Sequence, residues 1–430
     1  MRYTPIDQNL YIENRENLKK LMKPGSVAIF RANDIMPTNA DGTMAFVQNS
    51  NLFYLSGIDQ EETILLLSPD FPDPRFREVL FLLETNEEIE IWEGHKYTKE
   101  EATAASGITT VKWVDEFDQL LKNVLAESNH IYLDSNEHIR NASKVKTNNN
   151  RFIEWCKSTY PLYEYERAFP LLMQLRTVKS PLEIATMQEA CNITNHGFRR
   201  ILDKTRPGVW EYELEAEYLH EFVRRRSRGF AYTPIIASGA NACVLHYIDN
   251  NQQCNDGDLL LMDVGAEYGN YNADMTRTIP VNGKFTERQK AVYNAVLRVK
   301  NEATKLLRPG TTIDAYHKEV GLIMQSELLQ LGLIDQTDIK NENKDWPAYR
   351  KYFMHGTSHH IGLDVHDVGS FYKPMEVGNV FTVEPGIYIK EEGLGIRIED
   401  DIVITEEGHQ NLMGDIPIEA EEIEELMNAK

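Results

Sequence analysis

The sequence has few cysteines, a shortage of basic residues and no long apolar run. Its four cysteines, Cys156, Cys191, Cys243 and Cys254, lie far apart with no CxxC pair. That excludes a disulfide framework and a thiolate metal site, and it fits a reduced, cytoplasmic compartment. No stretch approaches the ~20 apolar residues of a membrane helix. The segment from Met1 to Gln8 has no apolar core of a secretory signal, so no membrane partner is expected. Lys and Arg number 45 against 67 Asp and Glu, a net charge of −22. A polyanion repels phosphate backbones, which argues against nucleic acid. The acidic run Glu419 to Glu425 reads as a solvated helix face.

At 430 residues the chain is too long for one ordinary core, and two domains are expected. In residues 1–173, strand-like runs at Ser26–Phe30, Thr63–Leu67, Glu78–Leu83 and His130–Leu133 alternate with helical patterns at Asn14–Met22 and Val114–Leu125. That alternation predicts a smaller α/β domain. It carries no phosphate loop, nucleophile elbow or metal cluster. Lys144 to Asn150 reads as an exposed loop.

The second domain, residues 174–430, opens on a helix start. Ser180 is the N-cap, Pro181 the first helical residue and Glu183 the capping-box partner. Helices are expected to about Asp203 and over Trp210–Arg226, then again from Thr286 to Leu307 and over Ile313–Leu331. Each pair is joined by the same tripeptide, Arg206-Pro207-Gly208 and Arg308-Pro309-Gly310, at an offset of 102. Strand patterns follow each pair. Helix, helix, hairpin occurs twice, which predicts an internal duplication with the two hairpins meeting at its centre.

Each half places two carboxylates on strands. The apolar run Leu259–Met262 leads into Asp263, turns, and returns through Asp274 to Ile279. A two-residue turn at Tyr268-Gly269 would set Asp263 and Asp274 directly opposite each other, with Cβ atoms roughly 5 Å apart. Like charges that close on a buried strand pair cost free energy unless something positive, such as a metal, lies between them; the alternative is a solvated face on which both aspartates look at water. The second half offers Glu384, on one face with Val380 and Thr382, and Glu399, on one face with Arg397. If Lys390–Gly393 is a tight turn, these glutamates also face each other. Histidines cluster in Met354–Asp367, where His355, His359 and His366 are candidates and His360 reads as structural; His246 is a further candidate. Gly356 and Gly362 argue for a strand–loop over a helix there. Carboxylates with an imidazole suit Mn, Co or Zn. Four negative charges suit two such ions about 3.5 Å apart, an arrangement that activates water for hydrolysis.

Five motifs in order, Met262–Gly265, Asn272–Thr278, His355–His359, Val383–Gly386 and Arg397–Asp401, resemble the pita-bread dinuclear metallopeptidases: methionine aminopeptidase, aminopeptidase P and prolidase. Tyr352–His355, Leu363–Gly369 and the N-terminal Asn49–Gly57 segment look most like aminopeptidase P, so the resemblance covers nearly the whole chain. It implies an α+β protein, with a creatinase-like N-terminal domain before a duplicated pita-bread domain. It implies Asp263, Asp274, His359, Glu384 and Glu399 as ligands of two metal ions, with Mn(II) the usual activator. Asp274 and Glu399 would bridge. Glu384 would also serve as general base, His246 and His366 would hydrogen-bond the substrate and the tetrahedral intermediate, and His355 would line the pocket. Arg397 would orient the bridging carboxylates.

The implied reaction is release of the first residue from peptides with proline second, in a homo-oligomer. Prolidase, which acts on dipeptides ending in proline, is the alternative. A non-catalytic peptide-binding pita-bread protein and the metal-free creatinase-like enzymes fit less well, because all five ligands are present. Trp92 is either a residue reaching a neighbour's site, as the resemblance suggests, or a core residue.

Overall fold

A computed structural model describes residues 2–343 and 345–429. The chain divides into two compact units, Pro5–Arg176 and Thr177–Lys430, the latter taking in the N-terminal segment up to Thr4. None of the helices among the described residues is long and apolar enough to cross a membrane. The four cysteines are unpaired.

The first unit is built on six strands: β1 (Ser26–Arg31), β2 (Ile64–Leu67), β3 (Glu78–Leu82), β4 (Val111–Trp113), β5 (His130–Leu133) and β6 (Glu164–Arg167). Their order in the sheet is β4-β3-β2-β1-β5-β6. β2 runs antiparallel to β1 and β3, while β4, β5 and β6 join in parallel. One sheet face buries Val27, Ile29, Leu66, Phe81 and Ile131 against Phe117, Leu121 and Phe152 of the flanking helices. The loop expected over Lys144–Asn150 ends sooner than the composition suggests. A helix spans Asn148–Thr159, because Thr147 caps it by accepting from the Asn150 amide. Phe152 and Cys156 then lie on one buried stripe. Trp92 is 84% exposed on a short helix, so the core reading of that residue is wrong.

In the second unit the four expected helices form at Pro181–Lys204, Glu211–Arg224, Glu287–Leu306 and Ile313–Gln330. Ser180 and Thr286 close their capping boxes. Gly208 and Gly310 end the two Arg-Pro-Gly links at φ of 93° and 89°, a left-handed conformation that glycine adopts without strain.

Ten short strands fill the space between the helices: β7 (Ile235–Ser238), β8 (Leu259–Val264), β9 (Glu267–Tyr268), β10 (Tyr271–Asn272), β11 (Met275–Pro280), β12 (Val380–Val383), β13 (Gly386–Ile389), β14 (Leu394–Arg397), β15 (Asp400–Thr405) and β16 (Gly408–Asn411). β11, β8 and β7 form one sheet and β12, β15 and β16 another, while β13 pairs with β14. The halves meet where the Glu399 amide donates to the Thr276 carbonyl (3.0 Å) and Asp274 N–H donates to Asp401 Oδ2 (3.0 Å).

The first hairpin corrects the expected register. Its turn is Gly269-Asn270, with φ of 58° and 66°, the two left-handed positions that a tight type I′ turn demands. The ladder therefore pairs Asp263 with Thr276 and Met275 with Val264. Asp274 is displaced by two residues from the position opposite Asp263. A slip of two keeps both aspartates on one face. The second hairpin has the expected register, with Gly386 opposite Arg397 and Ile389 opposite Leu394.

Candidate metal centre

The carboxylates converge between the two hairpins. Asp274, His359 and Glu399 each present one ligand atom, all within 4.8 Å of one another, and all three residues are buried. His359 Nε2 lies 3.5 Å from Asp274 Oδ2 and 3.9 Å from Glu384 Oε1. Its Nδ1 is 3.0 Å from the His360 carbonyl. Donation there fixes the tautomer and turns Nε2 toward the carboxylates. The irregular stretch carrying His359 is aligned by β12 and the residue after it. Thr382 N–H donates to the His359 carbonyl (3.0 Å) and Glu384 N–H to the Thr357 carbonyl (2.8 Å). No helix forms over His355–His359.

Asp263 is held from the other side. Arg397 Nη2 donates to its Oδ2 (2.6 Å), Nε donates to Thr276 Oγ1 (3.1 Å) and Nη1 donates to Tyr388 Oη (2.9 Å). Thr276 in turn donates to Glu399 Oε2 (2.7 Å). Arg397 thus grips Asp263 directly and reaches Glu399 only through Thr276, where the sequence suggested it would orient Asp274 and Glu399.

Two tyrosines join the site without having been expected there. Tyr232 Oη lies 2.5 Å from both Asp263 Oδ1 and Asp274 Oδ1, yet a phenol has one proton to donate. Nothing local marks Tyr232, which is 31 and 42 residues from its partners. Tyr388 connects Arg397 to His355 Nε2 (2.8 Å). Alternation from Glu384 through Gly386 would have pointed to it. His355 Nδ1 meets the Gly356 carbonyl at 2.7 Å. Burial, the Arg397 charge and nearby His246 push the His355 imidazole down to about 3. Both its nitrogens face protein groups, so it forms a wall of the site. His366 is exposed with its ring 4.5 Å from that of His359, and His246 is exposed beside His355. His360 is buried against Phe381.

The electrostatics show a site short of positive charge. Burial and repulsion from Asp274, Glu384 and Asp263 push the Glu399 carboxyl well up. Burial raises Glu384, with Asp274 and Asp263 adding to the shift and His359 and Arg397 opposing it. Burial and Asp274 likewise raise Asp263 against the pull of Arg397. His359 moves up to about 9: burial opposes this, but the carboxylates of Asp274 and Glu384 outweigh it. Three acids raised together, Glu399 buried and Asp263 and Glu384 half-buried, one phenol proton between Asp263 and Asp274, and a donor set of oxygens and imidazole fit divalent cations of the Mn, Zn, Co type. Thr276, the residue opposite Asp263, supplies a neutral hydroxyl beside the four acids.

Residues 185–406 match metallopeptidase family M24, and residues 11–132 match the aminopeptidase P N-terminal domain. The chain belongs to metallopeptidase family M24. Within this M24 group it is 37% identical to the Xaa-Pro aminopeptidase of Escherichia coli K12, over 99% of this chain and 98% of that one. E. coli aminopeptidase P with the inhibitor Pro-Leu superposes at a TM-score of 0.88, at 36% identity and 99% of both chains. A zinc-substituted form of that E. coli enzyme with product gives the same values. The M24 fold, a duplicated pita-bread domain behind an aminopeptidase P N-terminal domain, accounts for both units.

Proposed function

We propose that this chain is a Xaa-Pro aminopeptidase, releasing the first residue of peptides that carry proline second. The observation that carries the reading is the gathering of Asp274, His359 and Glu399 within 4.8 Å of one another, with Glu384 3.9 Å from His359 and Asp263 joined to Asp274 through Tyr232, in a chain related over 99% of its length to a Xaa-Pro aminopeptidase. These five side chains would hold two divalent ions, Mn(II) first among Mn, Zn and Co. Such ions supply a Lewis acid for the scissile carbonyl and acidify the attacking water.

The protein's own groups do the rest. Glu384, raised toward neutrality by its surroundings, takes the water's proton as general base. His246 and His366, exposed at the edge of the cluster, donate hydrogen bonds to the carbonyl oxygen as it becomes tetrahedral. His355, held by Gly356 and Tyr388, walls the pocket. Arg397 favours the ionised form of Asp263 and holds it in place. A homo-oligomer in the cytoplasm completes the reading.

Hydrolysis of Ala-Pro-Ala and of Ala-Pro after reconstitution with Mn(II), Zn(II) or Co(II) tests it. Cleavage of the tripeptide between Ala and Pro is expected, with Mn(II) the best activator. Clear preference for the dipeptide would replace the assignment with prolidase, and the lack of any metal-dependent cleavage would refute it.

A further inference from the structure

Glu211 begins the helix Glu211–Arg224, and its side chain is fully buried. No cation pairs with it among the described residues. Five donors converge on it instead. Ser238 N–H and Ser238 Oγ each donate to Oε1 at 2.7 Å, with Asn241 Nδ2 at 3.4 Å. Tyr247 Oη donates to Oε2 at 2.7 Å and Gln252 N–H at 2.9 Å. One oxygen thus fixes the chain where it leaves β7, and the other fixes it where it returns. One helical turn on, Glu215 accepts from Asn250 Nδ2 (2.9 Å), whose Oδ1 accepts from the Ile236 amide (2.9 Å). The segment held between these points contains His246. It has little other regular structure: a short 3-10 turn over Gly239–Cys243 and then open chain.

A buried carboxylate with no cation beside it is costly to desolvate, and its hydrogen bonds have to offset that cost. What it provides is a fixed distance between two chain points whose freedom would otherwise grow with the loop. We infer that Glu211 is a positioning residue for His246, locking the Ser238–Gln252 segment so that the imidazole stands over the cluster. The inference rests on the proposed role of His246 in hydrolysis.

A double-mutant cycle tests it on the metal-loaded, full-length protein. In Glu211→Gln the amide nitrogen must face the N–H of Ser238 or of Gln252, donor against donor, so one fixed point is lost. The expected result is a fall in kcat/KM of about tenfold, carried mainly by kcat, with bound metal per subunit unchanged. In a His246→Ala background the same change should cost less than about twofold, since there is no imidazole left to misplace. Tyr247→Phe removes one donor without stranding the carboxylate, and its smaller loss should vanish in the same background. A purely structural role would lower activity equally in both backgrounds. If His246→Ala is harmful but Glu211→Gln and Tyr247→Phe multiply with it, the inference fails while the functional reading stands. If His246→Ala is harmless, the role of His246 fails and the inference falls with it.

Discussion

Arg397 Nη2 donates to Asp263 Oδ2 at 2.6 Å, and the two side chains come from opposite halves of the duplicated unit. The guanidinium is the cation that lets Asp263 sit beside Asp274 on a buried strand face. It also carries Tyr388 and Thr276, so one side chain connects the wall at His355 with the acid at Glu399.

Removing that cation should therefore strand a buried carboxylate. Arg397→Met is expected to lower the stability of the chelated protein by about 3 kcal/mol. Urea unfolding monitored in excess EDTA measures it. A loss below about 1 kcal/mol would mean that Asp263 does not depend on Arg397.

Asp274 plays the opposite part in the metal-free protein, where it is the leading repulsive neighbour of Glu399 after burial itself. Asp274→Ala should abolish peptide hydrolysis and metal uptake while leaving the stability of the apo fold within about 1 kcal/mol of wild type. Elemental analysis and calorimetry of the apo protein read both quantities. Full metal content in the variant contradicts the charge argument. In wild type, chelation should lower Tm and Mn(II) should restore it, because the ions bind only the folded state.

Gly265 lies against the Ala273 carbonyl of the opposite arm of the first hairpin. A Cβ there would meet the Ala273 carbonyl oxygen at 1.7 Å. That carbonyl precedes Asp274, so Gly265→Ala must push a candidate ligand away from the cluster. Activity should fall by more than about a hundredfold, as expected for displacement of reacting groups by about 1 Å. A variant with normal kcat and metal content would show that the hairpin yields elsewhere.

The first unit holds its own titration. Asp134 is buried and accepts from Asn51 Nδ2 (2.8 Å) and Asn149 Nδ2 (3.4 Å). Burial, partly offset by Asn51 and Arg176, pushes its carboxyl up from 3.8 to about 6. Because the folded state binds this proton more tightly than the unfolded state, the stabilisation is fully present below pH 3.8 and is lost as pH rises through about 6. Between pH 7 and pH 3.5 the stability of wild type relative to Asp134→Asn should thus improve, by up to about 3 kcal/mol. Hydrogen exchange in β1 and β5 of both proteins measures the difference. A pH-independent difference rules out the titration.

Much of this was legible in the residues. Ser180, Pro181 and Glu183, and then Thr286, mark helix starts because capping is local chemistry. The Arg-Pro-Gly repeat exposes the duplication because the same link is used twice. Asp263, Asp274, Glu384 and Glu399 stand out because acids within apolar strands are costly unless something neutralises them. The register of the first hairpin differs by two residues from the one the sequence suggests. Tyr268-Gly269 and Gly269-Asn270 are both plausible turns in sequence, and only the backbone shows Asn270 accepting the left-handed conformation.

Sequence alone thus marked most of the elements and singled out the acids and histidines as candidates, since helix caps, strand alternation and carboxylates within apolar strands are short-range or compositional signals. Tertiary structure alone decided that Thr276, not Asp274, faces Asp263, that Tyr232 and Tyr388 join the cluster, and that Glu211 ties down the segment bearing His246. Those facts depend on contacts between residues tens to more than a hundred positions apart, fixed by how the two halves pack and by which turn closes the hairpin.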